Sequence, residues 1–178
     1  MAKQCLEKRV RISRDLVIYN LGKKGYPLTG NNYDANKKLI PTHELILATI
    51  KTDRNARLIE GLPVVISNEP PDYNALIEGA LKQNLQNQVG YVLEGTLGIL
   101  KKYNPYADFS ALENAVECLM QKKISGNQFL TRINIPNEIE CLSSNRSPEE
   151  AKWNVIGGAP YGQFEAKYKI YQNAKAKY

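Results

Sequence analysis

Gln88-Val-Gly-Tyr-Val-Leu-Glu-Gly-Thr-Leu-Gly-Ile-Leu100 is the stretch that decides the fold class. Val89, Val92, Leu93, Thr96, Leu97 and Leu100 recur at intervals of three and four, the spacing of one helix face, whereas a half-buried strand would alternate at two. The same rhythm runs upstream through Leu58, Ile59, Leu62, Val65 and Ile66, and through Leu76, Ile77, Ala80 and Leu81. Helix-start signals precede these stripes: Thr42 before Glu44 and Leu45, Asp53 before Ala56, Asp72 after Pro70-Pro71, and Ser110 with Glu113 as a capping box before the stripe Leu112 to Met120. Pro63 interrupts the first stripe and must kink or split its helix after Leu62, because proline lacks the N–H and clashes with the preceding turn. The expectation is a mainly α fold, a compact multi-helix array with at most one or two short extended segments and five or six helices by residue 123.

Outward from this array, Ser13 is the expected N-cap of a short helix carrying Leu16, Val17 and Leu21 and ended by Gly22. A loop at 30–36 follows. Beyond Gly126, residues 129–135 read as one extended segment before Pro136, with a polar loop at 143–146. Ser147-Pro148-Glu149-Glu150 has serine at the N-cap, proline at N1 and acids at the positive end of the helix dipole. A final helix opens after Gly157-Gly158-Ala-Pro160 with Phe164, Tyr168 and Tyr171 as its buried face. The chain of 178 residues suits one helical domain, 1–178. It comprises a basic N-terminal segment with a loop (1–40), the helical array (41–125), and an extended segment with helices (126–178).

Gly79, Gly90, Gly95 and Gly98 each cost about 1 kcal/mol relative to alanine inside a helix, so tight helix packing is the expected compensation. Leu58-Ile-Glu60-Gly61, Leu76-Ile-Glu78-Gly79 and Val92-Leu-Glu94-Gly95 look alike. Without a repeat consensus around them, they read as amphipathic helices that coincide.

Charge is uneven. Residues 1–60 hold twelve Lys/Arg against six acids, residues 61–125 five against seven, and residues 126–178 seven against five, so the first third carries an excess equal to the whole net charge of +6. Clustered basic charge is the footprint of a phosphate-bearing or acidic partner. The nucleic-acid contacts it nominates are Lys8, Arg9, Arg11, Arg14, Lys23 and Lys24. Gly22-Lys23-Lys24-Gly25 is not a phosphate-binding loop, because that pattern needs glycine where Val17 stands and a hydroxyl residue where Lys24 stands.

No reaction is legible. Cys5, Cys118 and Cys141 are far apart without a C-x-x-C pair, His43 is the only histidine, and Glu60, Glu78 and Glu94 lack a partner that would assign an acid and a base. The expectation is a non-enzymatic protein without cofactor or metal. No apolar run approaches the roughly 20 residues of a membrane span, and the first fifteen residues are too charged for a signal peptide, so a cytoplasmic location without a membrane partner is expected.

Arg57-Leu-Ile-Glu-Gly-Leu-Pro-Val-Val-Ile66, Tyr73-Asn-Ala-Leu-Ile77 and Gln88-Val-Gly-Tyr-Val-Leu-Glu94 together resemble the helical region of abortive-infection antitoxins of the type IV toxin-antitoxin class. The resemblance implies a protein partner, a nucleotidyltransferase-like toxin, or a regulatory role in contact with DNA. Residues 1–40 are too short and loop-rich for the winged helix-turn-helix usual in that family, and no catalytic residue transfers. The leading expectation is therefore a regulatory or protein-interaction scaffold built on the acidic array after residue 61. The alternative is a nucleic-acid binder using the basic first third.

Overall fold

In the computed structural model, which describes residues 12–28, 38–132, 136–157 and 160–175, helix α1 spans Arg14–Lys23 and is capped by Ser13, whose Oγ accepts from Leu16 N–H at 3.3 Å. Gly22 lies inside α1, and the chain turns instead at Gly25, where φ is +98°. The expected loop at 30–36, Cys5 and residues 133–135 lie outside the described residues.

Helix α2 (Thr42–Ala48) starts one residue earlier than read: Pro41 is the N-cap, and the Thr42 hydroxyl donates to Glu69 Oε1 at 2.6 Å. It widens into a single π-helical turn, Thr49–Asp53, which closes on Arg54 in the left-handed region, φ 45°. Asn55, not Asp53, then caps α3 (Ala56–Ile59), its Oδ1 accepting from Arg57 N–H at 3.0 Å. The helix breaks at Glu60 and Gly61, before Leu62 instead of after it. Pro63 thereby falls in the first turn of α4 (Leu62–Asn68), where its missing N–H has no helical partner to lose.

Asp72 caps α5 (Tyr73–Gln83) as the sequence predicts, accepting from Ala75 N–H at 3.0 Å. Helix α6 (Gln86–Tyr103) follows after the left-handed Asn84, and α7 (Ser110–Gln121) after a loop. The capping box read at Ser110 is absent: Ser110 is the first helical residue, Phe109 precedes it without a side-chain cap, and Glu113 reaches Lys101 at 2.5 Å instead. The described residues thus hold seven α-helices before residue 123, more than expected, because the break before Pro63 separates two short ones.

Among the described residues of the expected extended segment, Phe129 belongs to β1 (Gln128–Phe129), which pairs in parallel with β2 (Val155–Ile156), Gln128 opposite Val155. Between them lie α8 (Pro136–Ser144) and α9 (Pro148–Trp153), and α10 (Tyr161–Lys175) follows. Ser143 and Ser144 close α8 rather than forming a loop, each hydroxyl donating to the carbonyl four residues back. Ser147 and Glu150 make the full capping box of α9.

Helix α6 is central. Residues 85–93 are buried around its whole circumference, and α4, α5, α7, α9 and α10 pack on it. Asn87 clamps the following loop to it, donating to the Ile124 carbonyl and accepting from the Ile124 N–H, both at 3.0 Å. Gly90 abuts the Trp153 ring and Gly95 abuts Tyr161 and Phe164, the close approach that the glycines predict, whereas Gly98 faces open space. Phe164 and Tyr168 are buried, and the Tyr171 hydroxyl donates to the Pro27 carbonyl at 2.9 Å, so α10 ties the chain end to the segment after α1. One apolar cluster runs from Val17 to Tyr168. No helix among the described residues is long and apolar enough to cross a membrane.

Candidate anion-binding cleft

The π turn after α2 and the strand β1 face each other across a cleft of about 370 Å³. A π turn carries one residue more than an α turn, and such insertions cluster at functional sites because they push side chains out of the regular helix face. Here the turn presents Lys51 and Thr52, and the left-handed residue after it presents Arg54. Asn84 and Asn154 are the other non-glycine residues at positive φ among those described, and asparagine tolerates that conformation; an arginine there is strained.

Strand alternation builds the opposite wall. Leu130 is fully buried in the core, so Phe129 and Thr131 on either side of it point the other way, into the cleft, with Phe129 half-buried. Arg132 completes this wall, and Ile139 of α8 forms the rim. Two bonds hold the walls. The Arg132 N–H donates to the Arg54 carbonyl at 2.9 Å, and the Thr131 hydroxyl donates to the Gly157 carbonyl.

Three cationic side chains therefore surround one aromatic ring and two hydroxyls. Among the described residues lining the cleft there is no carboxylate. Among the described residues Arg54 and Arg132 form no ion pair, and Lys51 donates to the amide oxygen of Gln83 at 3.0 Å. Uncompensated like charges repel one another, and an anion placed among them relieves that repulsion while gaining charge-assisted hydrogen bonds.

The candidates nominated from sequence fall elsewhere. Lys8, Arg9 and Arg11 lie outside the described residues. Arg14 and Lys23 are exposed on α1, Lys23 with its ammonium 5.6 Å from the Tyr19 ring centroid. Lys24 is 9% exposed and its ammonium is bonded to Glu69, so its charge is engaged within the fold. That bond and the one from Thr42 hold the Glu69 carboxyl below the usual carboxylate range. Lys51 and Arg54 belong to the basic first third without a motif that singles them out, and Phe129, Thr131 and Arg132 carry only the pattern of an extended segment. No spacing rule joins residue 54 to residue 132; the backbone bond between them does.

A second polar cluster serves as an anchor. The Glu94 carboxylate accepts from Trp153 Nε1 at 2.8 Å and from Lys152, and the Tyr161 hydroxyl is shared between Glu94 at 3.2 Å and the Tyr91 carbonyl at 3.0 Å. Burial, then the Glu94 charge, pushes the Tyr161 hydroxyl far above its ordinary value. These bonds seat α9 and α10 on α6 and engage every group in the cluster. His43 is on α2 and Cys118 on α7, helices that both pack on α5. Among the described residues no group of three or more His, Cys, Asp or Glu is placed to hold a metal ion. Comparison of the chain with protein-family models, curated proteins and solved structures returned no match.

Proposed function

We propose that this protein is a non-enzymatic regulatory binding protein whose partner is a nucleic acid, held by its phosphates at the Lys51, Arg54 and Arg132 cleft. The observation that carries this reading is the convergence of three cations without a carboxylate among the described lining residues. Phosphate contacts need fixed positive charge and hydrogen-bond donors, and two guanidiniums supply both in the planar arrangement that fits phosphate oxygens.

The array after residue 61 supports an acidic protein-binding face less well. Glu69, Glu78, Glu94 and Glu113 are each bonded to a lysine, which leaves less free negative charge than the residue count suggests.

The test is a titration of labelled DNA and RNA at several salt concentrations, with the wild type and an Arg54→Asn/Arg132→Gln double variant. Binding should weaken steeply with salt, and the double variant should flatten the log–log slope by roughly 1.4 to 1.8, the share of two phosphate contacts. Binding that is absent, or that keeps its slope in the double variant, overturns the proposal.

A further inference from the structure

We infer that the cleft takes one unstacked nucleotide, with its base against Phe129 and its phosphate between Arg54 and Arg132, so that the protein prefers single strands to duplex. This deepens the nucleic-acid reading and rests on it. Phosphate recognition alone needs only charge, and an aromatic ring in the lining of a basic cleft adds nothing to it. Phe129 supplies a half-buried π face among the residues that line the cleft, on the side of the strand opposite the buried Leu130. Stacking on such a ring tolerates every base, because every base has a π face. In a duplex those faces are covered by neighbouring pairs and cannot stack on a protein ring, whereas a single strand can turn one base outward.

Size agrees. Small-ligand sites run from about 300 to about 1,000 Å³. At about 370 Å³ the cleft lies at the small end, suited to one compact unit and not to the side of a double helix. The hydroxyls divide the remaining contacts. Thr131 spends its proton on the Gly157 carbonyl and so can only accept from the ligand, while Thr52 has no partner among the described residues and can donate. A nucleotide offers both kinds of group, a donor on base or sugar and acceptors on phosphate.

The experiment is fluorescence anisotropy with labelled single strands of about 12 nucleotides, DNA and RNA, and the matching duplex. Adenosine monophosphate and poly-glutamate serve as competitors, and Phe129→Leu, Phe129→Tyr and Arg54→Asn/Arg132→Gln as variants. The expected result is single strands bound at least tenfold more tightly than duplex. Phe129→Leu should lose about tenfold for single strands with its salt slope intact, and Phe129→Tyr should retain the affinity. Competition by adenosine monophosphate at comparable concentration assigns the same chemistry to a free nucleotide. Equal binding of single strand and duplex, unchanged in Phe129→Leu but lost in the arginine double variant, overturns the stacking inference while leaving the phosphate reading intact. Equal competition by poly-glutamate overturns it in favour of an acidic peptide, and no binding of any nucleic acid overturns both. Thermal unfolding of Phe129→Leu checks its fold, and Phe129→Tyr keeps the ring should leucine fail.

Discussion

Arg54 sits at φ 45°, a conformation in which the Cβ of an L-residue crowds its own backbone. Arg54→Asn should therefore raise stability by about 0.5 to 1 kcal/mol in urea unfolding while weakening nucleic-acid binding, a trade typical of strain kept at a functional position. A residue retained only for folding would not separate the two readouts. At this scale the sequence was legible where local chemistry decides. Asp72 and Ser147 cap the helices they were expected to cap, because a short polar side chain beside free N–H groups needs no distant partner. Ser110 failed as a cap because it is already helical, its N–H donates to Asp108 Oδ1 at 2.8 Å, and Glu113 pairs with Lys101 on another helix. Neither Arg54 nor Phe129 carries a local mark that would bring it to this cleft.

Among elements, α6 shows most directly what its sequence demanded. Its glycines are not equivalent: a Cβ at Gly90 would enter the Trp153 ring, while at Gly98 it meets nothing. Gly90→Ala should lower stability by about 1 to 3 kcal/mol, because the indole is fully buried and fixed by Glu94 and has nowhere to move. Gly98→Ala should raise it by about 0.5 to 1 kcal/mol through helix propensity alone. Urea midpoints of the two variants check both signs. The three similar Glu-Gly pairs also part company here. Gly61 lies in the turn before α4 against Tyr26, Gly79 meets Leu47, and Gly95 meets α10. Their glutamates bond to Lys167, Lys82 and Lys152 respectively, so the likeness is one of amphipathic pattern and not of repeated structure.

For the whole molecule, Lys24 and Glu69 link the end of α1 to the end of α4, with Thr42 of α2 on the same carboxylate. Since folding depresses the Glu69 pKa below its ordinary 4.5, its contribution is full above that value and is lost as pH falls through the folded pKa. Glu165 adds to the same acid window, pulled down to about 2 by Lys102, Tyr103 and Lys169. Stability should therefore hold steady from neutral pH to about 5 and then decline. Glu69→Gln should cost about 1 kcal/mol at pH 7, a modest figure because Glu69 is half exposed, and should make the acid decline shallower. Unfolding curves at pH 7 and pH 3 test both statements. The sequence by itself determined the helical class, the caps at Ser13, Asp72 and Ser147 and the location of excess positive charge, since periodicity, caps and composition act over a few residues. Only the tertiary structure decided which charges are spent inside the fold, as Lys24 is, and which converge, as Lys51, Arg54 and Arg132 do. That convergence depends on a π turn and a two-residue parallel strand pair held by contacts between residues distant in the chain, and no local pattern encodes such contacts.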